Sequence, residues 1–185
     1  LYIIHQENGD RHFTYWRENS AARHLADDPE ALLSAVNGAD CLYFSGITLA
    51  ILKPQRREDL LSVIDGARQK GAAVAFDPNI RPALMGRPDQ VLPMVERFVS
   101  CSDVVKASED DVEWLYGETP LPQVLDRWTE LGASICAITR GGEAMAVSTL
   151  GDHRWFQPPK VAVADTVGAG DSSVAGYVLA DVRGG

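Results

Sequence analysis

The sequence predicts an α/β fold, a mostly parallel, doubly wound sheet with helices on both faces and a small antiparallel β piece at the N-terminal end. Three observations carry this. Short apolar runs alternate with stretches of helical periodicity from Asp27 onward, the order that builds parallel sheets. Several of those runs are apolar at nearly every position, as strands buried on both faces are. Asn8-Gly9 separates two β-favouring segments, a strong hairpin signal.

The elements follow in order. Leu1 to Gln6 and His12 to Trp16 form the hairpin around Glu7-Asn8-Gly9-Asp10. A helical stretch runs from Asp27 through Val36, an apolar strand covers Cys41 to Phe44, and a helix over Gln55 to Lys70 buries Leu60, Ile64 and Ala67. Gly71 closes that helix as a C-cap does. Next come a strand at Ala73 to Phe76, a helix at Asp89 to Val99 with Val91, Val95 and Phe98 on one face, a strand at Val104 to Lys106 and a helix at Asp110 to Tyr116. Beyond the break at Thr119-Pro120 lie a helix at Gln123 to Leu131, strands at Ile135 to Thr139, Ala144 to Thr149 and Arg154 to Phe156, and a final helix. No internal repeat or low-complexity linker interrupts the pattern.

With 185 residues, 45% of them hydrophobic, the chain is the size of one domain and can bury a substantial core. Its net charge of −9 and lack of any basic run argue against nucleic acid or anionic membrane as a partner, so an anionic ligand must be held by local groups. No run spans a bilayer and no signal peptide is evident, which makes a cytoplasmic location the expectation. Cys41, Cys101 and Cys136 are widely separated and lack histidine neighbours, so neither a disulfide framework nor a zinc site is expected.

The densest chemistry lies in DTVGAGDS at 165–172. Gly168 and Gly170 let backbone N–H groups approach an anion, and the helix that follows contributes unsatisfied donors and a favourable dipole. Asp171 reads in two ways: as a helix cap, or as a general base taking a proton from an attacking hydroxyl. Three further motifs also follow strands: Asp77-Pro78-Asn79-Ile80-Arg81-Pro82, Ser108 with Asp111, and Thr139-Arg140-Gly141-Gly142. Each alone is an ordinary turn or cap. Together they fall at the strand C-terminal ends, where open parallel sheets bind ligands.

These residues resemble the ribokinase-like sugar kinases, the pfkB carbohydrate kinases, whose C-terminal signature has the form DTxGAGD and here reads DTVGAGD at 165–171. The likeness extends along the chain through DPNIRP at 77–82, KASEDD at 106–111 and TRGG at 139–142. Within the family, FTYWRENSAARHL at 13–25 and DPNIRPALM look like the 2-keto-3-deoxygluconate kinases. The resemblance implies a ribokinase-like fold, with residues 1–17 part of a β lid and 18–185 an α/β kinase core. It implies ATP and Mg²⁺. Asp171 would be the base, Gly168, Ala169 and Gly170 the anion hole, and Ser108, Thr139, Gly141 and Gly142 the nucleotide side. Asp111 would act on Mg²⁺ through water. Ser108 and Asp111 stand where the family's NxxE motif has Asn and Glu, a departure that keeps groups able to order water around a hard cation. Ser173, Met85 and Ala144 also depart from common Phe, Trp and Gly. Tyr15, Arg17 and Arg81 would reach the substrate, and a planar guanidinium suits the carboxylate of an acidic sugar. For Arg17 the alternative is a solvated lid-edge charge, and for Tyr15 a packed strand residue.

The expected reaction is ATP-dependent phosphorylation of 2-keto-3-deoxygluconate to its 6-phosphate. The alternatives are another family activity, a fructokinase or ribokinase, or a non-catalytic module that binds nucleotide or sugar. A dinucleotide-binding fold lacks its GxGxxG after an early strand. The resemblance further implies a homo-oligomer formed through the lid. Leu1 opens on a strand and the chain stops soon after the last helix, so both ends are expected to be cut and the 185 residues alone to show little activity.

Overall fold

The computed structural model of the chain describes residues 2–7, 10–16, 19–161 and 168–182. Strands β1 (Tyr2–Glu7) and β2 (Asp10–Tyr15) pair antiparallel from Tyr2↔Tyr15 to Glu7↔Asp10. The hairpin is present, with Asn8-Gly9 itself outside the described residues.

A six-stranded sheet follows, in the order β3 (Cys41–Ser45), β4 (Ala73–Asp77), β5 (Val104–Ser108), β6 (Ile135–Arg140), β7 (Glu143–Thr149) and β8 (Asp152–Phe156). The first four strands run parallel and the last two close the sheet as an antiparallel meander. Helices α3 (Pro54–Gln69), α5 (Pro88–Val99) and α7 (Leu121–Leu131) are the crossovers between neighbouring parallel strands. Each steps in the same direction, so right-handed connections stack all three on one face.

That face holds the core. Phe44, Val74, Phe76, Val105, Cys136 and Ile138 from the sheet meet Leu60, Ile64, Val91, Val95, Phe98, Val124 and Trp128 from the helices. Phe44 stacks on Phe76 at 4.9 Å between ring centroids, and Phe98 meets Phe44 edge-on at 5.6 Å. Trp128 is fully buried, and its indole N–H donates to Tyr116 Oη at 2.8 Å, which satisfies the one polar atom it takes inside.

Strand alternation turns the neighbouring residues to the opposite face: Tyr43 and Ser45, Ala75 and Asp77, Lys106 and Ser108, Ala137 and Thr139. Helix α8 (Ala169–Val182) packs against β4 on this side and buries Val174. Helices therefore cover both faces, as expected for the fold class.

The elements differ from the sequence expectation in instructive ways. Helices α2 (Gly46–Ile51) and α4 (Pro82–Met85) were not expected, because six and four residues are too short to show a helical period. Helix α1 (Pro29–Val36) starts later than Asp27, since Asp28 is its N-cap and accepts from Ala31 N–H at 3.0 Å. A 3-10 turn at Ala21–His24 precedes it. The strands run on through polar ends, with Ser45 pairing Asp77 and Ser108 pairing Thr139. Gly46 packs against the loop after β4 so closely that a β-carbon there would lie 1.9 Å from the Pro78 carbonyl oxygen. Among the described residues, no helix is long and apolar enough to cross a membrane.

Candidate active site

The polar strand ends converge. β4 ends in Asp77, β5 in Ser108 and β6 in Thr139-Arg140, and the first turn of α8 stands over them. Between them lies a cavity of about 290 Å³ lined by Asp77, Asn79, Arg81, Lys106, Ser108, Asp111, Gly168, Gly170 and Asp171. Six of the residues singled out in the sequence, Arg81, Ser108, Asp111, Gly168, Gly170 and Asp171, from three separate segments, thus share one cavity.

At its α8 wall, Gly168 has φ +76°, a left-handed conformation that favours glycine. The first helical hydrogen bond runs from Ser172 N–H to Gly168 O at 2.9 Å, so the amides of Ala169, Gly170 and Asp171 precede it. They are the donors that a helix N-terminus presents to an anion. Asp171 sits in this turn with an exposed side chain.

At the floor, Asp77 and Lys106 are buried side by side, 7% and 8% exposed, with Lys106 Nζ 3.4 Å from Asp77 Oδ2. Asp77 Oδ1 accepts from Asn79 N–H at 2.9 Å, a turn that holds Asn79 at φ +39°. Burial pushes the Asp77 carboxyl up to about 6; Asp111 adds to the rise, while Lys106 and the Asn79 amide oppose it. Tyr43, on the neighbouring strand, is pushed up to about 12, by burial first and then by the charges of Asp77 and Asp171. Neither Asp77 nor Lys106 was among the residues assigned a role from the sequence. The signal was present: a lysine ending the apolar run Val104-Val105 needs a buried partner, and the aspartate ending the adjacent strand supplies it.

Asp111 closes a capping box with Ser108. Its Oδ2 accepts from Ser108 N–H at 3.0 Å and from Ser108 Oγ at 2.7 Å, while Ser108 Oγ accepts from Asp111 N–H at 3.2 Å. Its Oδ1 accepts from Ile80 N–H at 2.7 Å, tying the start of α6 (Glu109–Tyr116) to the loop after β4. Three hydrogen bonds already occupy this carboxylate. Among the described residues, no cluster of three His, Cys, Asp or Glu offers a cation an all-protein cage. The donor set fits Mg²⁺ held by a ligand's phosphates and reached through water, the usual habit of that ion.

A second cavity, of about 490 Å³, lies on the other side of α8's first turn. Thr139, Arg140, Gly141 and Glu143 form its polar side, Met145, Phe156, Pro158 and Pro159 its apolar wall, and Ala169, Gly170 and Ser173 its α8 side. Gly170 lines both cavities. Gly141 and Gly142 connect β6 to β7 as a hairpin turn, with Arg140 paired to Glu143 and Gly141 at φ +58°. Gly142 is outside the lining and accepts from Gln157 Nε2 at 3.3 Å. Tyr15, on β2, does not line either cavity. Arg17, like Asp165 and Thr166, lies outside the described residues.

The buried Asp77 carboxyl has a measurable consequence. Its folded value near 6 lies above the ordinary 3.8, so the folded state holds the extra proton, and its contribution improves as pH falls through 6 toward 4. Relative to Asp77→Asn, the wild-type protein is expected to gain about 1–1.5 kcal/mol between pH 7 and pH 5 in urea unfolding. A difference that is flat with pH, or of opposite sign, would contradict the buried-carboxyl reading.

Comparison with known proteins decides the family: the match to the pfkB family carbohydrate kinases runs over residues 1–185. The chain belongs to that family. It is 35% identical over 190 residues to 2-dehydro-3-deoxygluconokinase of Escherichia coli K12, covering 100% of this chain and 62% of the relative. It is 28% identical to a fructokinase of Rhizobium leguminosarum bv. trifolii, covering 95% of this chain and 52% of that protein. The crystal structure of a PfkB protein from Polaromonas sp. JS666 superposes with a TM-score of 0.79 at 27% identity, over 99% of this chain and 60% of that one. The fold is accordingly the ribokinase-like α/β fold of pfkB kinases, and the chain spans between about half and about three-fifths of the length of these relatives.

Proposed function

We propose that this pfkB chain carries the phosphoryl-transfer centre of an ATP-dependent sugar kinase whose acceptor is 2-keto-3-deoxygluconate, phosphorylated to the 6-phosphate. The observation that carries the reading is the shared wall at Gly170. It sets the α8 amides and Asp171 between a cavity of nucleoside size with an apolar wall and a polar cavity lined by charged groups.

In this arrangement the nucleoside occupies the larger cavity, near Thr139, Gly141 and Met145, with its phosphates directed at the α8 amides. Asp171 takes the proton of the acceptor hydroxyl as oxygen attacks the γ-phosphorus, and the amides of Ala169, Gly170 and Asp171 bear the charge that develops. Asp111 and Ser108 are the residues that would hold the water shell of a Mg²⁺ ion, which would supply charge neutralisation to the phosphates. The β1–β2 hairpin serves as the lid and brings Tyr15 and Arg17 to the sugar. Its pairing with a second copy's hairpin is the proposed route to an oligomer.

The acidic acceptor is supported by Arg81, a cavity-lining arginine whose Nη1 donates to Ile80 O at 2.7 Å, leaving other donors for a ligand carboxylate. The names of the relatives at 35–36% identity point the same way. The second reading, a neutral ketose as acceptor, rests on the fructokinase likeness.

Steady-state kinetics of the full-length protein with 2-keto-3-deoxygluconate, fructose and ribose separates them. Arg81→Ala and Arg17→Ala are each expected to raise KM for the sugar acid by about 10–100-fold, the worth of a charged hydrogen bond, with KM for ATP unchanged. A wild-type preference for fructose or ribose, or variants that keep the acid-sugar KM, would remove the sugar-acid assignment and leave the kinase assignment in place.

A further inference from the structure

Lys106 is buried beyond what its contacts explain. Its side chain is 8% exposed, and an ammonium carries three donors. Among the described residues its hydrogen-bond partner is Asp77 Oδ2, at a long 3.4 Å. Its Nζ also lies against the first turn of α8, where a methyl group on Gly170 would stand 3.6 Å away. The N-terminus of a helix is its positive end, so a cation is the wrong charge to place there. Asp77 offsets the ammonium from one side, and an anion placed between Lys106 and the α8 amides would be favoured by both positive groups.

We propose that Lys106 is the cationic wall of the phosphoryl site and that Asp77 is its positioning residue. This rests on reading the site as a phosphoryl-transfer centre. The transferring group carries its charge on three equatorial oxygens. The α8 amides approach it from one side and the Lys106 ammonium from the floor of the same cavity. No bond to Lys106 forms or breaks: the acceptor oxygen bonds to phosphorus, the leaving nucleotide oxygen takes the electron pair of the broken bond, and Asp171 holds the acceptor's proton. Lys106 supplies only charge, stronger there than in water because its ammonium is buried.

Asp77 touches none of the reacting atoms. Anchored by Asn79 N–H, it fixes the lysine head of β5 on the cavity floor. The groups that face Asp77 are Lys106 from β5, Asp111 from α6 and Tyr43 from β3, with Arg81 and Asp171 on the cavity wall. Protonating Asp77 removes the lysine's partner, so positioning is lost as the solution becomes acidic.

The test uses the full-length protein and two readouts: binding of inorganic tripolyphosphate by calorimetry, and kcat with KM for both substrates. Lys106→Met is expected to weaken tripolyphosphate binding at least about tenfold and to lower kcat by about 10²–10³-fold with the sugar KM unchanged. Lys106→Arg should restore part of both. Asp77→Asn is expected to lower kcat/KM about tenfold at pH 7.5 and to abolish an acid-side inflection near pH 6 in the wild-type profile.

Lys106→Met leaves Asp77 buried without its partner, so the double variant Asp77→Asn/Lys106→Met, a neutral pair of similar shape, is measured alongside. It should fold and show the same loss of tripolyphosphate binding. Lys106→Met or the double variant binding tripolyphosphate within twofold of wild type would overturn the proposal, as would a wild type that does not bind it. A wild type that binds tripolyphosphate through Lys106 but phosphorylates no sugar would sink the kinase reading and leave the anion site standing.

Discussion

Replacing Asp171 with asparagine will lower kcat by about 10²–10⁴-fold, the usual worth of a general base, while nucleotide affinity stays within about twofold. The substitution keeps the size of the side chain and its capacity to cap α8, so Gly168 and the α8 amides remain in place. What it removes is basicity. Asp171 carries its carboxylate in the first turn of α8, beside the amides that would hold the phosphoryl group. Steady-state kinetics and calorimetric ATP binding on the same preparation separate the two functions. A variant that keeps more than about half of the wild-type kcat would leave Asp171 only as a cap.

A second large effect is expected far from the reacting atoms. Gly46→Ala places a β-carbon 1.9 Å from Pro78 O and 3.1 Å from Met85 Cε. The methionine end can move. The carbonyl belongs to the loop whose turn is held by Asp77 and whose Ile80 amide is held by Asp111, so relief requires the whole 77–81 segment to shift. The expected loss is about 3 kcal/mol in urea unfolding, at the upper end for an overpacked core, and kcat/KM should fall with it. Gly66→Ala is the control. Gly66 lies within α3 with nothing within 4 Å of its β-carbon position, so this change should stabilise by about 0.5–1 kcal/mol. Equal effects at the two positions would contradict the packing described here.

The sequence made some of this legible and hid the rest for physical reasons. Continuous apolar runs revealed β4 and β5, because burial on both faces leaves little freedom in composition, and β-favouring residues marked the more exposed strands, β8 among them. Of the polar residues that end those strands, Asp77 reads as the start of a turn and Ser108 as an N-cap, and both prove to be paired within the sheet. Helices α2 and α4 escaped because the apolar run Ile47-Thr48-Leu49-Ala50-Ile51 and the four residues after Arg81 are shorter than the window in which a period shows.

At the site, the glycine-rich motif located α8's first turn because Gly168 takes φ +76°, a conformation that favours glycine. The Asp77–Lys106 pair was hidden because its two members are 29 residues apart and meet only when β4 and β5 pair. Ser108 and Asp111 were read both as a cap and as cation-side groups. Their hydrogen bonds show the cap, and the cavity they line keeps the second role open to test.

The most direct measurement is ³¹P NMR of ATP with 2-keto-3-deoxygluconate and Mg²⁺, with wild-type protein and with Asp171→Asn in parallel. With wild type, the γ-phosphate resonance should disappear as ADP and a sugar phosphomonoester grow in together, and the ester should couple to the protons of the primary carbon. With Asp171→Asn the spectrum should hold still over the same period. Growth of inorganic phosphate without the ester, or equal ester formation by the two proteins, would contradict an Asp171-dependent sugar-acid kinase.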